Sequence, residues 1–202
     1  MRNSLIILIA FVCISGRCGA EKTSLPKLTR EACREHIDRE EKLKGIEPGL
    51  LEAIAQIESR LSPLSVNAGG RGYSFRTVGE AVCFIKRKQS EGCKNISVGP
   101  MQLHIPSHQR NFSSIEEMLD PHQNISYAAK LLNRLKRKTG SMEKAVKLYH
   151  SDNPHSSENY KNRVFGAWAK IRNRKTGSDT RAVSAKIGKD TAKITKRPFK
   201  SS

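Results

Sequence analysis

Glu58 is the residue of this sequence best placed to move a proton. It closes the run Gly49-Leu50-Leu51-Glu52-Ala53-Ile54-Ala55-Gln56-Ile57-Glu58, where Leu50, Ile54, Ile57 and Leu61 recur at helical spacing. Glu58 follows Leu51 and Ala55 at steps of four and three. Its carboxyl therefore falls at the margin of the apolar face, while Glu52 and Gln56 fall on the solvated back. A carboxyl against apolar surface resists ionisation, so its pKa rises. Protonating the oxygen that bridges two sugars near neutral pH requires that property. The same spacing also suits a helix-end glutamate paired with Arg60 or Arg71.

Two later segments carry groups suited to a polar ligand. In Ser97-Val98-Gly99-Pro100-Met101-Gln102-Leu103-His104, Gly99 and Pro100 bend the chain and allow close approach to another surface. Met101 is an adaptable apolar contact, and Gln102 offers both donor and acceptor. Such a strip can line a groove for amide- and hydroxyl-bearing sugars, or feed a core methionine. In Val146-Lys147-Leu148-Tyr149-His150-Ser151-Asp152-Asn153-Pro154, followed by Tyr160, a phenol at a helix end can bond a carboxylate or a sugar, or anchor its helix in the core. His104 and His108 have helical spacing, but Pro106 lies between them and no CxxC occurs. No metal and no organic cofactor is expected.

The elements that must position these groups are mainly helical. Thr29 to Lys44 reads as a surface helix with Cys33 and Ile37 on one side, and Pro48 stands where a first-turn proline opens the Glu58 helix. Asn67-Ala68-Gly69-Gly70-Arg71-Gly72-Tyr73 is a glycine-rich loop. Thr77 with Glu80, and Ser113 with Glu116, form capping boxes. Tyr127, Leu131 and Leu135 mark a helix stopped at Gly140. Ser141 caps a short helix through Tyr149, and Glu158 to Ile171 makes the last packed helix. A small β ribbon around 70–76 or 94–104 is the most strand the pattern allows.

Composition sets the boundaries. Leu5–Ser15 is the one continuously apolar stretch of the 202 residues, and it is too short to span a bilayer comfortably. Behind Arg2 and ahead of Cys18-Gly19-Ala20 it reads as a signal peptide over 1–20, placing the mature chain in the periplasm or outside the cell. The formal charge is +18. Residues 171–202 hold 10 Lys and Arg against 2 Asp, with few large apolar groups. A disordered basic tail is expected over 173–202, able to hold the protein on an anionic envelope polymer or membrane surface. Removal of the leader leaves Cys33, Cys83 and Cys93. Cys83–Cys93 is the first-choice disulfide, with Cys33 able to pair with either. Asn95, Asn111 and Asn124 each begin an Asn-x-Ser sequon.

Taken in order, these segments resemble the soluble lytic transglycosylase family, which shares its core with goose-type lysozyme. Ile57-Glu58-Ser59 matches the family's Glu-Ser helix end, Gly99-Pro100-Met101-Gln102-Leu103 its Gly-x-Met-Gln strip, and Ala145 to Tyr149 its Ala-x-x-x-Tyr segment. The glycine loop and Tyr160-x-x-Arg163-Val164 look most like an exported proteobacterial branch. The resemblance covers roughly 30–170 and implies a lysozyme-like catalytic domain over 21–172. It implies cleavage of the MurNAc-β-1,4-GlcNAc bond of peptidoglycan glycan strands with 1,6-anhydro ends. Glu58 would be the single acid, then base. Ser59, Met101 and Gln102 would border the cleaved bond, and Tyr149 would position the acid. Tyr73 and Tyr160 would be groove residues. Two positions depart from the pattern. His150-Ser151-Asp152 stands where many relatives have Asn-Ala-Gly, and Pro100 stands where relatives have Leu or Cys.

A monomer is expected, with no specific nucleic-acid partner. Two rivals remain open. One is a lysozyme-type hydrolase on the same fold, with Asp152 or Glu91 activating water. The other is a non-catalytic wall-binding protein that acts through its basic tail.

Overall fold

The computed structural model describes residues 28–151 and 153–194, with side-chain surroundings through 176. The expected signal peptide lies outside the described residues, as does Asp152. Helix α1 (Arg30–Lys44) starts where Thr29 Oγ1 accepts the Ala32 N–H and stops at Gly45, whose φ is 61°. It buries Cys33 and Ile37 as expected, and also His36, Glu40 and Glu41.

Helix α2 (Leu50–Ser59) begins at Gly49, so Pro48 lies just outside the helix rather than in its first turn. Gly49 has φ 84°, offers no side-chain cap, and a Cβ there would meet Ile171 at 2.9 Å. The cap comes from α1 instead. The Glu41 carboxylate accepts the N–H groups of Gly49 at 2.7 Å and Leu51 at 2.8 Å. A negative group at a helix N-terminus also opposes the positive end of its dipole. Trp168 Nε1 donates to Pro48 O at 3.0 Å and ties the same end to the last helix.

The glycine loop is a hairpin, β1 (Ser65–Ala68) and β2 (Arg71–Ser74), turning through Gly69 and Gly70 at φ 60° and 83°. The two candidate ribbon regions join one antiparallel sheet with β3 (Ile96–Val98) and β4 (Leu103–His104), in the order β2-β1-β3-β4. Helix α3 (Val78–Ser90) carries the Thr77–Glu80 capping box. The second box slips by one residue. Ser114 caps α5 (Ile115–Leu119), and Glu117 accepts from Ser113 N and Oγ. Between these lie α4 (Ile105–His108) and a 3-10 turn (Gln109–Asn111). Helix α6 (Pro121–Thr139) ends at Gly140, and α7 (Met142–His150) starts at Ser141.

Helix α8 (Pro154–Ile194) corrects two expectations. It begins before Glu158, and its helical backbone is described to Ile194, within the stretch expected as a basic tail; 195–202 lie outside the described residues. Its continuation covers the back of α2. Glu52, expected in solvent, is 2% exposed and pairs with Arg174 at 2.6 Å, Arg34 at 3.3 Å and Lys175 at 3.5 Å. A carboxylate so deeply covered persists because three cationic side chains reach it from the surface.

The Cys83–Cys93 bridge is not formed; Cys33, Cys83 and Cys93 are all free thiols. Cys83 lies on the exposed side of α3, whereas the turn at Gly92 carries the Cys93 thiol to Asn95 O, 3.6 Å away. Cys33 is buried, which pushes its thiol up to about 11. Among the described residues no helix is long and apolar enough to cross a membrane.

Glu41→Ala strips the acceptor from the buried start of α2 and is expected to destabilise the fold by about 3 kcal/mol. Urea denaturation against the parent measures this, and Glu41→Gln should recover part of the loss.

Candidate active site

Glu58 is placed by the last turn of α2, and the helix stops immediately after it. Arg60 and Leu61 both adopt left-handed backbone, with φ 56° and 62°. Leu61 is nonetheless fully buried, so core packing holds this unfavourable geometry. Ser59 Oγ then donates to Pro100 O at 2.8 Å, fastening the helix end to the Gly99–Gln102 strip.

That strip is organised by a residue whose role the sequence did not reveal. Asn124 of α6 is fully buried. Its Nδ2 donates to Val98 O at 3.0 Å and Met118 O at 2.9 Å, while its Oδ1 accepts Met101 N–H at 2.9 Å. Gly99 has φ 79°, and a Cβ on it would lie 2.3 Å from Asn124 Nδ2. Asn124 is therefore a bracket for the loop. The signal that could have found it is a polar residue on the otherwise apolar face of Ile125, Ala128 and Leu132. Gln102 itself has φ 48°. Its Nε2 donates to Gly99 O at 2.8 Å and Ser65 O at 3.3 Å, so its amide oxygen is the group left for a ligand.

Two tyrosines exchange the parts expected of them. Tyr160 of α8, not Tyr149, reaches the acid: its hydroxyl donates to Glu58 Oε1 at 2.6 Å. Tyr149 of α7 donates to Met101 O at 2.9 Å. Burial, and then the Glu58 charge, pushes both phenols well above their usual value, so both stay donors. Met101 is fully buried and meets the site only through its backbone carbonyl. Tyr73 does not line the cleft; its ring packs on Phe84 with centroids 4.5 Å apart.

Glu58 opens onto a cleft of about 750 Å³, a size suited to sugar rings. Its walls include Asn67, Asn95, Ser97 and Gln102 on the sheet side and Leu131, Leu135 and Leu148 from α6 and α7. Among the described residues lining it, Glu58 is the one carboxylate, and there is no Lys or Arg. A chain of charge +18 thus presents, among the described residues, a trough with one acid and no lysine or arginine in its lining. Burial pushes the Glu58 carboxyl up to about 7, against the smaller downward pull of the Tyr160 hydrogen bond and the Arg163 charge. The alternative pairing with Arg60 or Arg71 does not occur among the ion pairs of the described residues. Glu91 is remote from this site, exposed at the end of α3 and paired with Lys88 at 2.6 Å. His104 and His108 line the far side of the cleft and bond Ser107 and Tyr127. A smaller cavity of about 320 Å³ beside Cys93 and Pro106 contains no acid.

A helical domain with a small antiparallel sheet and one protonatable glutamate at the cleft defines a lysozyme-like protein. The family model of the transglycosylase SLT domain matches residues 35–167, and the chain belongs to that family of peptidoglycan lytic transglycosylases. No curated protein and no solved structure matches the chain.

Gly99→Ala forces a Cβ into Asn124 at a left-handed backbone position and is expected to cost about 2–4 kcal/mol, read from the shift of the denaturation midpoint.

Glu58 also makes stability depend on pH. Its folded pKa is above the ordinary 4.5, so between pH 4.5 and about 7 the folded state holds a proton that the unfolded chain has released. Stability falls as pH rises through that window and is flat above it. Glu58→Gln should remove this slope, with the difference from the parent growing to about 3 kcal/mol above pH 7, as followed by thermal unfolding across pH.

Proposed function

We propose that this protein cleaves the β-1,4 bond between N-acetylmuramic acid and N-acetylglucosamine in peptidoglycan and leaves 1,6-anhydro-muramyl ends, with Glu58 as acid and then base. The observation that carries this reading is the half-buried Glu58 carboxyl, pushed up to about 7 by desolvation, which is the one carboxylate among the described residues lining a sugar-sized trough. Tyr160 occupies Oε1, so in the neutral acid the proton resides on Oε2. That proton passes to the glycosidic oxygen as the bond to muramyl C1 breaks, and the N-acetylglucosamine chain leaves with a free 4-hydroxyl. The acetamido oxygen of the muramyl residue bonds C1 and takes up the positive charge. Glu58, now a carboxylate, removes the proton from the C6 hydroxyl. The C6 oxygen displaces the acetamido oxygen at C1 and closes the anhydro ring, and Glu58 is returned protonated.

Substrate assistance of this kind needs no second enzymic carboxylate, which agrees with the composition of the cleft among the described residues. The amide oxygen of Gln102 is suited to accept from an acetamido N–H. Ser59 and Met101 act by fixing the strip, and Tyr160 and Tyr149 by fixing the acid and the strip in turn. The signal-like segment over 1–20 supports action in the periplasm or outside the cell, where this substrate lies.

Purified protein on sacculi should release anhydro-muramyl fragments by mass spectrometry; reducing ends would instead assign a hydrolase. Glu58→Gln should lose activity by about 10³-fold or more while keeping its fold and sacculus binding, and equal activity would remove Glu58 from the reaction. Activity of the parent should fall as pH rises above about 7, because the proton needed for the first step is lost.

A further inference from the structure

Position 150 lies directly against the residue that bonds the acid. His150 is the last residue of α7, and its imidazole is stacked on the Tyr160 ring with centroids 4.4 Å apart and planes within 5°. Its Nε2 is hydrogen-bonded with Ser156 Oγ at 3.2 Å. Ser156 and Tyr160 are one turn apart on α8 and so share a face. Ser156 N–H is in turn bound by Asn153 Oδ1 at 3.1 Å. The imidazole thus lies flat along this face, pinned at one edge by Ser156 and covering the phenol ring.

We infer that His150 is a positioning residue, whose stacked ring holds Tyr160 in the orientation that hydrogen-bonds Glu58. This rests on the reading of Glu58 as the proton donor. A phenol hydroxyl is at the far end of a two-torsion side chain, so a modest ring rotation carries it out of hydrogen-bond range. The 2.6 Å contact with Glu58 Oε1 therefore depends on what confines the ring faces. His150 confines one face with a flat group of fixed orientation. Partial desolvation at this exposed position, and then the Arg163 charge, holds its imidazole below the usual histidine range. The polar and charged groups around Glu58 are Tyr149 and His150 from α7, Tyr160 and Arg163 from α8, and Gln102 from the strip.

The test is direct titration of Glu58 in the full chain. Glutamate is labelled with ¹³C at the side-chain carboxyl, and the resonance is assigned by its loss in Glu58→Gln. Tyr160→Phe removes the hydrogen bond that favours the carboxylate, so its midpoint should rise. His150→Ala should raise the midpoint in the same direction, by on the order of half a unit. His150→Phe, which keeps a flat stacking ring, should titrate like the parent. The double variant His150→Ala/Tyr160→Phe should match Tyr160→Phe alone. A parent-like midpoint in His150→Ala, or a raised one in His150→Phe, would overturn the assignment. An extra shift in the double variant would do the same, because His150 would then act on Glu58 without Tyr160. The titration needs no substrate, so an inactive parent on sacculi would count against the lytic reading alone.

Discussion

The neutrality of the Glu58 carboxyl rests on taking it out of water while withholding a full counter-charge. Burial raises its pKa; among the described residues its hydrogen-bond partner is the Tyr160 hydroxyl, a neutral donor, and the Arg163 charge pulls downward by less than burial lifts. Other carboxylates of the same chain show the alternative. Glu91 and Glu158 have lysine partners and are held below the usual carboxylate range, while Glu52, almost as covered as any core residue, is met by Arg34, Arg174 and Lys175. A lysine in place of Tyr160 would stabilise the charged form and remove the acid at neutral pH. With so large an excess of positive charge, keeping cations off one carboxyl is a constraint on the whole fold.

Precision at that carboxyl comes from the clamping of α2 at both ends. Glu41 and the Trp168–Pro48 bond hold its start. Ser59, bonded to Pro100 O, holds its finish. The strip it meets is itself fixed by Asn124 from below and by Tyr149 through Met101 O. Three left-handed non-glycine residues, Arg60, Leu61 and Gln102, lie on the two sides of this junction. Each is unfavourable by about 1 kcal/mol or more, so the junction is sustained by its surroundings rather than by local preference.

Much of this was legible along the chain. The helices, the Thr77–Glu80 box, the Ser141 cap and the Gly140 stop follow from local rules and are where they were expected. Glu58 and Gln102 could be named because one lies at the margin of a periodic face and the other beside a Gly-Pro bend. The misread residues share one feature. Tyr160 rather than Tyr149 bonds Glu58, Tyr73 belongs to an aromatic contact with Phe84, and Glu52 is covered. For each, the deciding neighbour is remote in sequence. Cys83 and Cys93 show the converse, since nearness in the chain did not orient their side chains toward one another.

The sequence by itself determined the helical class, the positions of most caps, and the presence of one glutamate suited to proton transfer. These depend on periodicity and on contacts within a turn or two, which any local reading can follow. Only the tertiary structure decided what surrounds that glutamate. The contacts that set its chemistry span 102 residues to Tyr160, 41 from Ser59 to Pro100 and 48 from Tyr149 to Met101. Such contacts are chosen by how whole elements pack, and the pattern along one helix carries no record of which side chain the neighbouring helix will present.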